Sequence, residues 1–348
     1  MEQLEKVDVL LATYNGEKYL RKQIDSILNQ TYKNINLIIS DDCSKDKTKE
    51  ILKEYEKKDN RIKIFYQEKN LGLINNFEFL LKKAESPLFM LADQDDVWLS
   101  NKIEQTLKKL KKDNADLVFT DLEIVDENLK ILDLSFNRKM KKIHKIKKTI
   151  KTKQFEYLYN NITGCTITCK TKWIKDILPI PKNSKYIIQD SWIGLIVSLN
   201  GKISYLDEPT IRYRQHGDNL VGTQKQSYKF EDFNQIRQLF IEVKKDLFKT
   251  YLENKEKFPD DLNKLTSMGK EYFDKIEQKE NINFKGWNIF HKLYKNEQIG
   301  YYIINFIILN IPILGRVLFK IYSKTKKIIL RKTKTNLKAK KIAKKIIG

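Results

Sequence analysis

Pro87-Leu88-Phe89-Met90-Leu91-Ala92-Asp93-Gln94-Asp95-Asp96-Val97-Trp98 decides how the rest of the chain is read. An apolar run ends in three carboxylates within four positions. A short uninterrupted apolar run reads as a strand buried on both faces, and such strands belong to parallel sheets. Open α/β sheets bind ligands at the carboxyl ends of their strands. Packed like charges repel, so the cluster needs a cation or solvent. The alternative is an acidic loop that caps a helix starting near Asn101.

Outward from this stretch the first 120 residues alternate strand and helix. Val7–Ala12, Asn36–Ser40, Ile62–Tyr66, Pro87–Leu91 and Asp116–Thr120 read as strands. Gly16–Gln30, Asp46–Tyr55, Ile74–Ala84 and Lys102–Lys111 read as helices, the second capped by Ser44 or Asp46. Regular alternation with short links predicts a mostly parallel sheet flanked by helices. Ala12-Thr13-Tyr14-Asn15-Gly16, Asp41-Asp42-Cys43-Ser44 and Asp93-Gln94-Asp95-Asp96 then share one sheet edge. Each alone is an ordinary capping loop, but three at one edge mark a site.

After Thr120 the pattern changes. Leu122–Leu132 suggests a hairpin turning at Asp126-Glu127-Asn128, and Asn161–Cys169 reads as a strand. Asp190–Leu199 reads as a helix, Ile203–Leu206 and Thr210–Arg214 as two short strands. Phe233, Ile236, Phe240, Val243, Leu247 and Tyr251 recur at helical spacing. The expected division is 1–225 for the α/β domain, 226–297 for a helical region and 298–348 for an apolar and basic segment, with the boundary near 222–230.

The net charge of +22 is unevenly distributed. Gln298–Gly348 carries 13 Lys and Arg and no acid, and Lys139–Lys153 carries 8 Lys and no acid. The remaining body is close to neutral. Basic patches suit phosphate-rich partners. Tyr301–Gly315 is apolar but shorter than the ~20 residues of a spanning helix. Beside it Ala339, Ile342, Ala343 and Ile346 share one face of a lysine-rich helix, a pattern suited to an anionic membrane surface. The alternative is a core helix followed by a tail. The three cysteines, Cys43, Cys165 and Cys169, form no paired framework, and polar Met1–Lys6 leads straight into a strand. A reducing compartment without a secretory leader is expected.

These motifs, taken in order, resemble the family 2 glycosyltransferases of GT-A (Rossmann-like) fold. The matching stretches are Val9–Gly16, Ser26–Tyr32, Ile39–Ser44, Asn70-Leu71-Gly72, Asp93–Trp98, Gln189-Asp190 and Tyr213-Arg214-Gln215-His216-Gly217, across roughly residues 5–222. The resemblance implies inverting transfer from a nucleotide-diphosphate sugar, UDP- or dTDP-linked, with Mn²⁺ or Mg²⁺. It implies that Thr13, Tyr14, Asn15 and Asn70 lie around the nucleotide. Asp42 would accept the pyrimidine imide N–H. Asp41 faces the other way along the strand and is expected to be structural. Asp93 would face ribose or metal, Asp95 would bind metal, and His216 would ligate metal or touch the diphosphate. Asp190 would be the general base, against the plainer reading of a helix cap. Asp96, Trp98, Gly164 and Cys165 are candidate donor or acceptor contacts. The Asp-Gln-Asp-Asp-Val-Trp variant resembles a bacterial subgroup assigned to rhamnosyl or similar transfer in surface polysaccharides. Asp8 departs from the family's small or apolar residue and suggests a solvated edge.

The expected function is therefore transfer of one sugar to a hydroxyl of a lipid-linked bacterial surface glycan. The enzyme is expected to be cytoplasmic and peripheral on the inner face of the membrane. A rival is transfer onto polyprenyl phosphate. A rival of another class is nucleic-acid binding through the basic tail, but Lys324–Gly348 lacks the aromatic residues that stack on bases. A catalytically dead scaffold is disfavoured by the retained acids.

Overall fold

The computed structural model describes residues 5–136, 162–217 and 233–278. The lysine-rich segment Lys139–Lys153, the expected boundary near 222–230 and everything from Gln298 onward lie outside the described residues. The chain divides into two compact units, residues 1–227 with 253–259 and residues 228–252 with 260–348.

The first unit is built on a nine-stranded sheet. Strands β1 (Val7–Thr13), β2 (Ile35–Asp41), β3 (Ile62–Tyr66) and β4 (Leu88–Asp93) pair in parallel in the order β3-β2-β1-β4. Helices α1 (Leu20–Leu28), α2 (Thr48–Lys58) and α3 (Leu73–Leu81) make the crossovers. All seven residues of β1 are buried, as expected of a strand covered on both faces. Leu20, Gln23, Ile24 and Ile27 form the buried stripe of α1 at spacings of three and four.

Beyond β4 the sheet becomes mixed, in the order β8-β6-β9-β5. Here β5 is Val97–Trp98, β6 Leu117–Val125, β7 Ile131–Asp133, β8 Thr168–Lys170 and β9 Ile203–Arg214. Strand β8 runs antiparallel to both β4 and β6, so β4 and β6 share a direction, and β9 is parallel to β6. The carboxyl ends of β1, β2, β4, β6 and β9 therefore meet at one edge, which positions the site. Helix α4 (Lys102–Asp113) follows β5; short α5 (Ile174–Ile177) and α6 (Gln189–Asn200) precede β9. The expected hairpin after Thr120 is the β6–β7 pair, antiparallel around the turn closed by Leu129 N–H on the Asp126 carbonyl.

Three expectations change. Asp8 is not at a solvated edge: it is 0% exposed. Its carboxylate accepts Glu85 N–H at 2.7 Å, Ser86 N–H at 2.8 Å, the Ser86 hydroxyl at 2.6 Å and the Asn36 amide at 2.8 Å. It ties β1 to β2 and to the entry of β4. The stretch before Cys169 is a 3₁₀ turn, Gly164–Thr166, and only Thr168–Lys170 is strand. The two short strands after Gly201 are one strand, β9, which continues through register shifts against Asp121.

The second unit contains α7 (Phe233–Glu253) and α8 (Asp260–Glu277). Phe248 and Phe273 pack with ring centroids 5.8 Å apart, and a Cβ on Gly269 would lie 2.7 Å from the Phe248 ring. Among the described residues no helix is long and apolar enough to cross a membrane.

Candidate active site

At the sheet edge the turns after β1 and β2 hold each other. Asn15 and Cys43 both take left-handed backbone, φ +49° and +65°. Asn15 N–H donates to Ser44 Oγ at 2.9 Å, Lys45 N–H to Asn15 Oδ1 at 2.9 Å, and Gly16 N–H to Thr48 Oγ1 at 2.8 Å. Asp41 is buried and accepts both the hydroxyl and the N–H of Ser44, so it is structural as expected. Asp42 accepts Leu71 N–H at 2.6 Å and Gly72 N–H at 2.9 Å. A carboxylate has about four acceptor positions, so these two leave capacity for a further donor. Tyr14 is 45% exposed, and Asn15 and Asn70 are exposed beside it, whereas Thr13 is buried.

Gln94 is a site residue that sequence reasoning did not assign. Its Oε1 accepts the Thr13 hydroxyl at 2.6 Å and Tyr14 N–H at 2.9 Å, and its Nε2 donates to the Tyr14 carbonyl at 3.1 Å. The amide thus pairs the β1 turn with the acid loop much as a strand would. A Cβ at Gly16 would fall 2.4 Å from Gln94 Oε1, so a side chain here would displace the Gln94 amide from its partners. From below, α1 supports the same loop. Gln23 Nε2 donates to the Asp93 carbonyl at 2.8 Å, Ser26 Oγ accepts Trp98 N–H at 3.0 Å, and Gln30 Nε2 donates to the Leu99 carbonyl at 2.7 Å.

The acids of this loop are crowded. Asp93 is pushed up to about 7 by burial and then by Asp95 and Asp190. Asp96 is pushed well above the carboxylate range by burial and then by Asp95 and Asp93. Its Oδ1 accepts Arg214 N–H at 3.2 Å, and its carboxyl also meets the Cys165 thiol. Asp95 Oδ2 lies 2.8 Å from His216 Nε2, so two of the expected metal ligands meet across the ends of β4 and β9. Asp93, Asp96 and Cys165 bring possible ligand atoms within 4.8 Å of one another. Acids crowded and buried in this way either hold their protons or need a compensating cation.

Asp190 stands in the first turn of α6. Its Oδ2 accepts Gly164 N–H at 3.0 Å and its Oδ1 accepts Ser191 N–H at 2.5 Å. A Cβ on Gly164 would approach Asp190 Cβ to 3.3 Å, so the glycine lets the 3₁₀ turn press against this carboxylate. Gly164 therefore orients Asp190 through its backbone.

Three of the candidate contacts are buried. Asp96 is 0% and Trp98 3% exposed, and Cys165 is buried with them. The Lys102 ammonium covers the Trp98 ring at 4.8 Å, which removes that face from any sugar. Burial pushes fully buried Lys102 down to about 7, against the pull of Cys165 and Asp96.

Comparison with known proteins gives a consistent result. The family model "Glycosyl transferase family 2" matches residues 8–178. An uncharacterized glycosyltransferase of Methanocaldococcus jannaschii is 30% identical over 62% of this chain and 73% of its own length. An uncharacterized glycosyltransferase of Rickettsia typhi is 35% identical over 62% of this chain and 66% of its own length. WfgD of Escherichia coli, named a UDP-Glc:α-D-GlcNAc-diphosphoundecaprenol β-1,3-glucosyltransferase, is 33% identical over 35% of this chain and 47% of its own length. Among solved structures, S. aureus TarS with UDP-GlcNAc superposes with a TM-score of 0.55 at 18% identity, covering 83% of this chain and 80% of that one. The mannosyltransferase PcManGT of Pyrobaculum calidifontis, with GDP-Man and Mn²⁺, gives 0.51 at 12% identity, covering 86% and 78%. At such identities these likenesses speak to fold alone.

Proposed function

The chain belongs to glycosyl transferase family 2, and from that premise we propose that it is a metal-dependent inverting glycosyltransferase acting on a lipid-linked bacterial surface glycan. The observation that carries this reading is the placing of Asp42, Asp93, Asp95, His216 and Asp190 along one sheet edge, with Asp93 raised by burial and then by Asp95 and Asp190. The donor is a nucleotide-diphosphate sugar. Tyr14, Asn15 and Asn70 offer exposed side chains around the nucleotide. Asp42 keeps an acceptor position for a pyrimidine imide N–H. The TarS complex with UDP-GlcNAc and the UDP-Glc named for WfgD support a uridine donor.

The residues present fit a divalent cation. Asp95 and His216 supply an oxygen and a nitrogen 2.8 Å apart, and the neighbouring acids carry charge that a cation would relieve. Asp95, Asp93 and His216 would hold Mn²⁺ or Mg²⁺. When bound, the ion supplies neutralisation of the charge growing on the departing diphosphate. Asp190 takes the proton of the acceptor hydroxyl, held for that task by the N–H groups of Gly164 and Ser191. The acceptor oxygen forms its bond to the anomeric carbon from the face opposite the diphosphate. The bond from that carbon to the diphosphate breaks with its electron pair, and configuration inverts.

The lipid-linked acceptor is supported by the acceptor in WfgD's name and by the charge pattern of this chain. The 13 basic residues of Gln298–Gly348, with no acid, would hold the enzyme to anionic lipid at about 1 kcal/mol for each one engaged. Co-sedimentation with anionic and neutral vesicles tests this: equal binding to both contradicts the electrostatic attraction. The main experiment is turnover of UDP- and dTDP-sugars against a lipid-linked acceptor, with Mn²⁺, Mg²⁺ or EDTA. Turnover of one donor, lost in EDTA and in Asp95→Ala, is expected. Full activity in EDTA contradicts the metal assignment.

A further inference from the structure

Arg214 is fully buried, and its contacts run to the acid loop. Its Nε donates to the Asp95 carbonyl at 2.7 Å, and its Nη1 donates to the Glu127 carbonyl in the β6–β7 turn. Its backbone N–H donates to Asp96 Oδ1 at 3.2 Å. The guanidinium lies over the Tyr19 ring, 4.5 Å from its centroid. The same Tyr19 ring meets the His216 ring at 4.8 Å between centroids, tilted by 40°. His216 closes the circuit on the Asp95 carboxylate at 2.8 Å.

Asp95, Arg214, Tyr19 and His216 thus form a closed ring of contacts. Asp95 is fixed at its carbonyl by Arg214, and its carboxylate meets His216. A planar guanidinium can stack with its face and donate from its edge at once, which an ammonium cannot. Tyr19 also anchors the ring to the β1 turn, since its N–H donates to the Gly16 carbonyl at 3.1 Å. Gly16 belongs to the turn whose Tyr14 is bonded to Gln94.

Building on the metal reading above, we propose that Arg214 and Tyr19 are positioning residues that set the Asp95–His216 pair for a divalent cation. Through the same contacts they couple cation binding to nucleotide binding at the β1 turn. Two ligands that both tighten one ring of contacts favour each other's binding, and the coupling is reciprocal. Neither side chain needs to touch the sugar or the reacting atoms.

The test is Mn²⁺ titration by electron paramagnetic resonance, with and without UDP, on the full chain. Wild type, Arg214→Lys, Tyr19→Leu and the double variant are compared. Residues that orient metal ligands typically change metal affinity by roughly 10–100-fold, so each single variant should weaken Mn²⁺ by about that factor. The double variant should lose little more than either single one, because one ring is broken once. UDP should tighten Mn²⁺ in the wild type and much less in the variants. Unchanged Mn²⁺ affinity, strictly additive losses, or undiminished coupling to UDP would overturn the proposal. A lowered Tm with wild-type Mn²⁺ affinity would mark a purely structural role and also overturn it. Amide exchange in the metal-free protein separates this proposal from the metal reading. Arg214→Lys should accelerate exchange over residues 93–98 and 214–217 even if the wild type binds no Mn²⁺, whereas unchanged exchange there defeats the positioning role.

Discussion

The parallel half of the sheet and the acid loop that begins at its β4 end use carboxylates in different ways. In the parallel half Asp8, Asp41 and Asp42 hold backbone and hydroxyl donors from neighbouring loops. At the end of β4 and in the loop after it, Asp93 and Asp96 are driven upward by burial and then by neighbouring carboxylates. The first arrangement fixes two turns into a cradle. The second crowds acids that are hard to ionise together, an arrangement that clusters at functional sites. A buried acid is therefore not by itself a functional signal; crowding by other carboxylates is the stronger one.

The comparison can be broken by substituting Asp190, whose charge acts on Asp93, and one acid of the parallel half. Asp190→Asn should lower kcat by about 10²–10⁴-fold with donor binding nearly unchanged. Steady-state kinetics with a separate donor titration reads both quantities. An unchanged kcat would favour a phosphate acceptor, which needs no strong base. Asp8→Ala should act the other way. It leaves two N–H groups, a hydroxyl and an amide without their acceptor, costing about 3 kcal/mol of folding stability. Denaturant unfolding should show that loss, while turnover per folded molecule stays close to wild type. A large kcat effect from Asp8→Ala at full stability would dissolve the distinction.

Lys102 gives a smaller effect that sharpens the same contrast. Its native pKa of about 7 lies below the ordinary 10.5 because of burial. Between those values the unfolded chain binds a proton that the native state does not. Unfolding then takes up a proton, so stability rises with pH across that window, by at most about 1.4 kcal/mol per unit. Lys102→Met should abolish the slope between about pH 7 and 10. A slope that persists in the variant would mean that Lys102 keeps its proton, neutralised by the acids above it.

Much of this was legible in the sequence, and the reasons for the rest are physical. The strands of the parallel half stand out because burial on both faces demands continuous apolar runs such as Val9-Leu10-Leu11. Strand ends carrying Asp42, Asp93 and Asp95 follow from that alternation. The mixed half was harder to read. Asp207-Glu208-Pro209 interrupts the apolar pattern, yet β9 continues because the shifted register against Asp121 accommodates the irregularity. Gln23 and Gln30 belong to the polar pattern of a surface helix face, but their amides are committed to the acid loop from the inside. Asp8 misled for the same reason: its four donors come from residues 28 to 78 positions away. Partners that distant leave no local trace, and neither does the pairing of Gln94 with Thr13 and Tyr14.

The central claim is that Asp190 delivers the acceptor to the face opposite the departing diphosphate. The most direct test is the anomeric configuration of the product, read by proton NMR on the glycoside formed from an α-linked UDP-sugar. A β-linked product is the expected result. An α-linked product would mean retention, and with it the assignment of Asp190 as the base for a single displacement would fail.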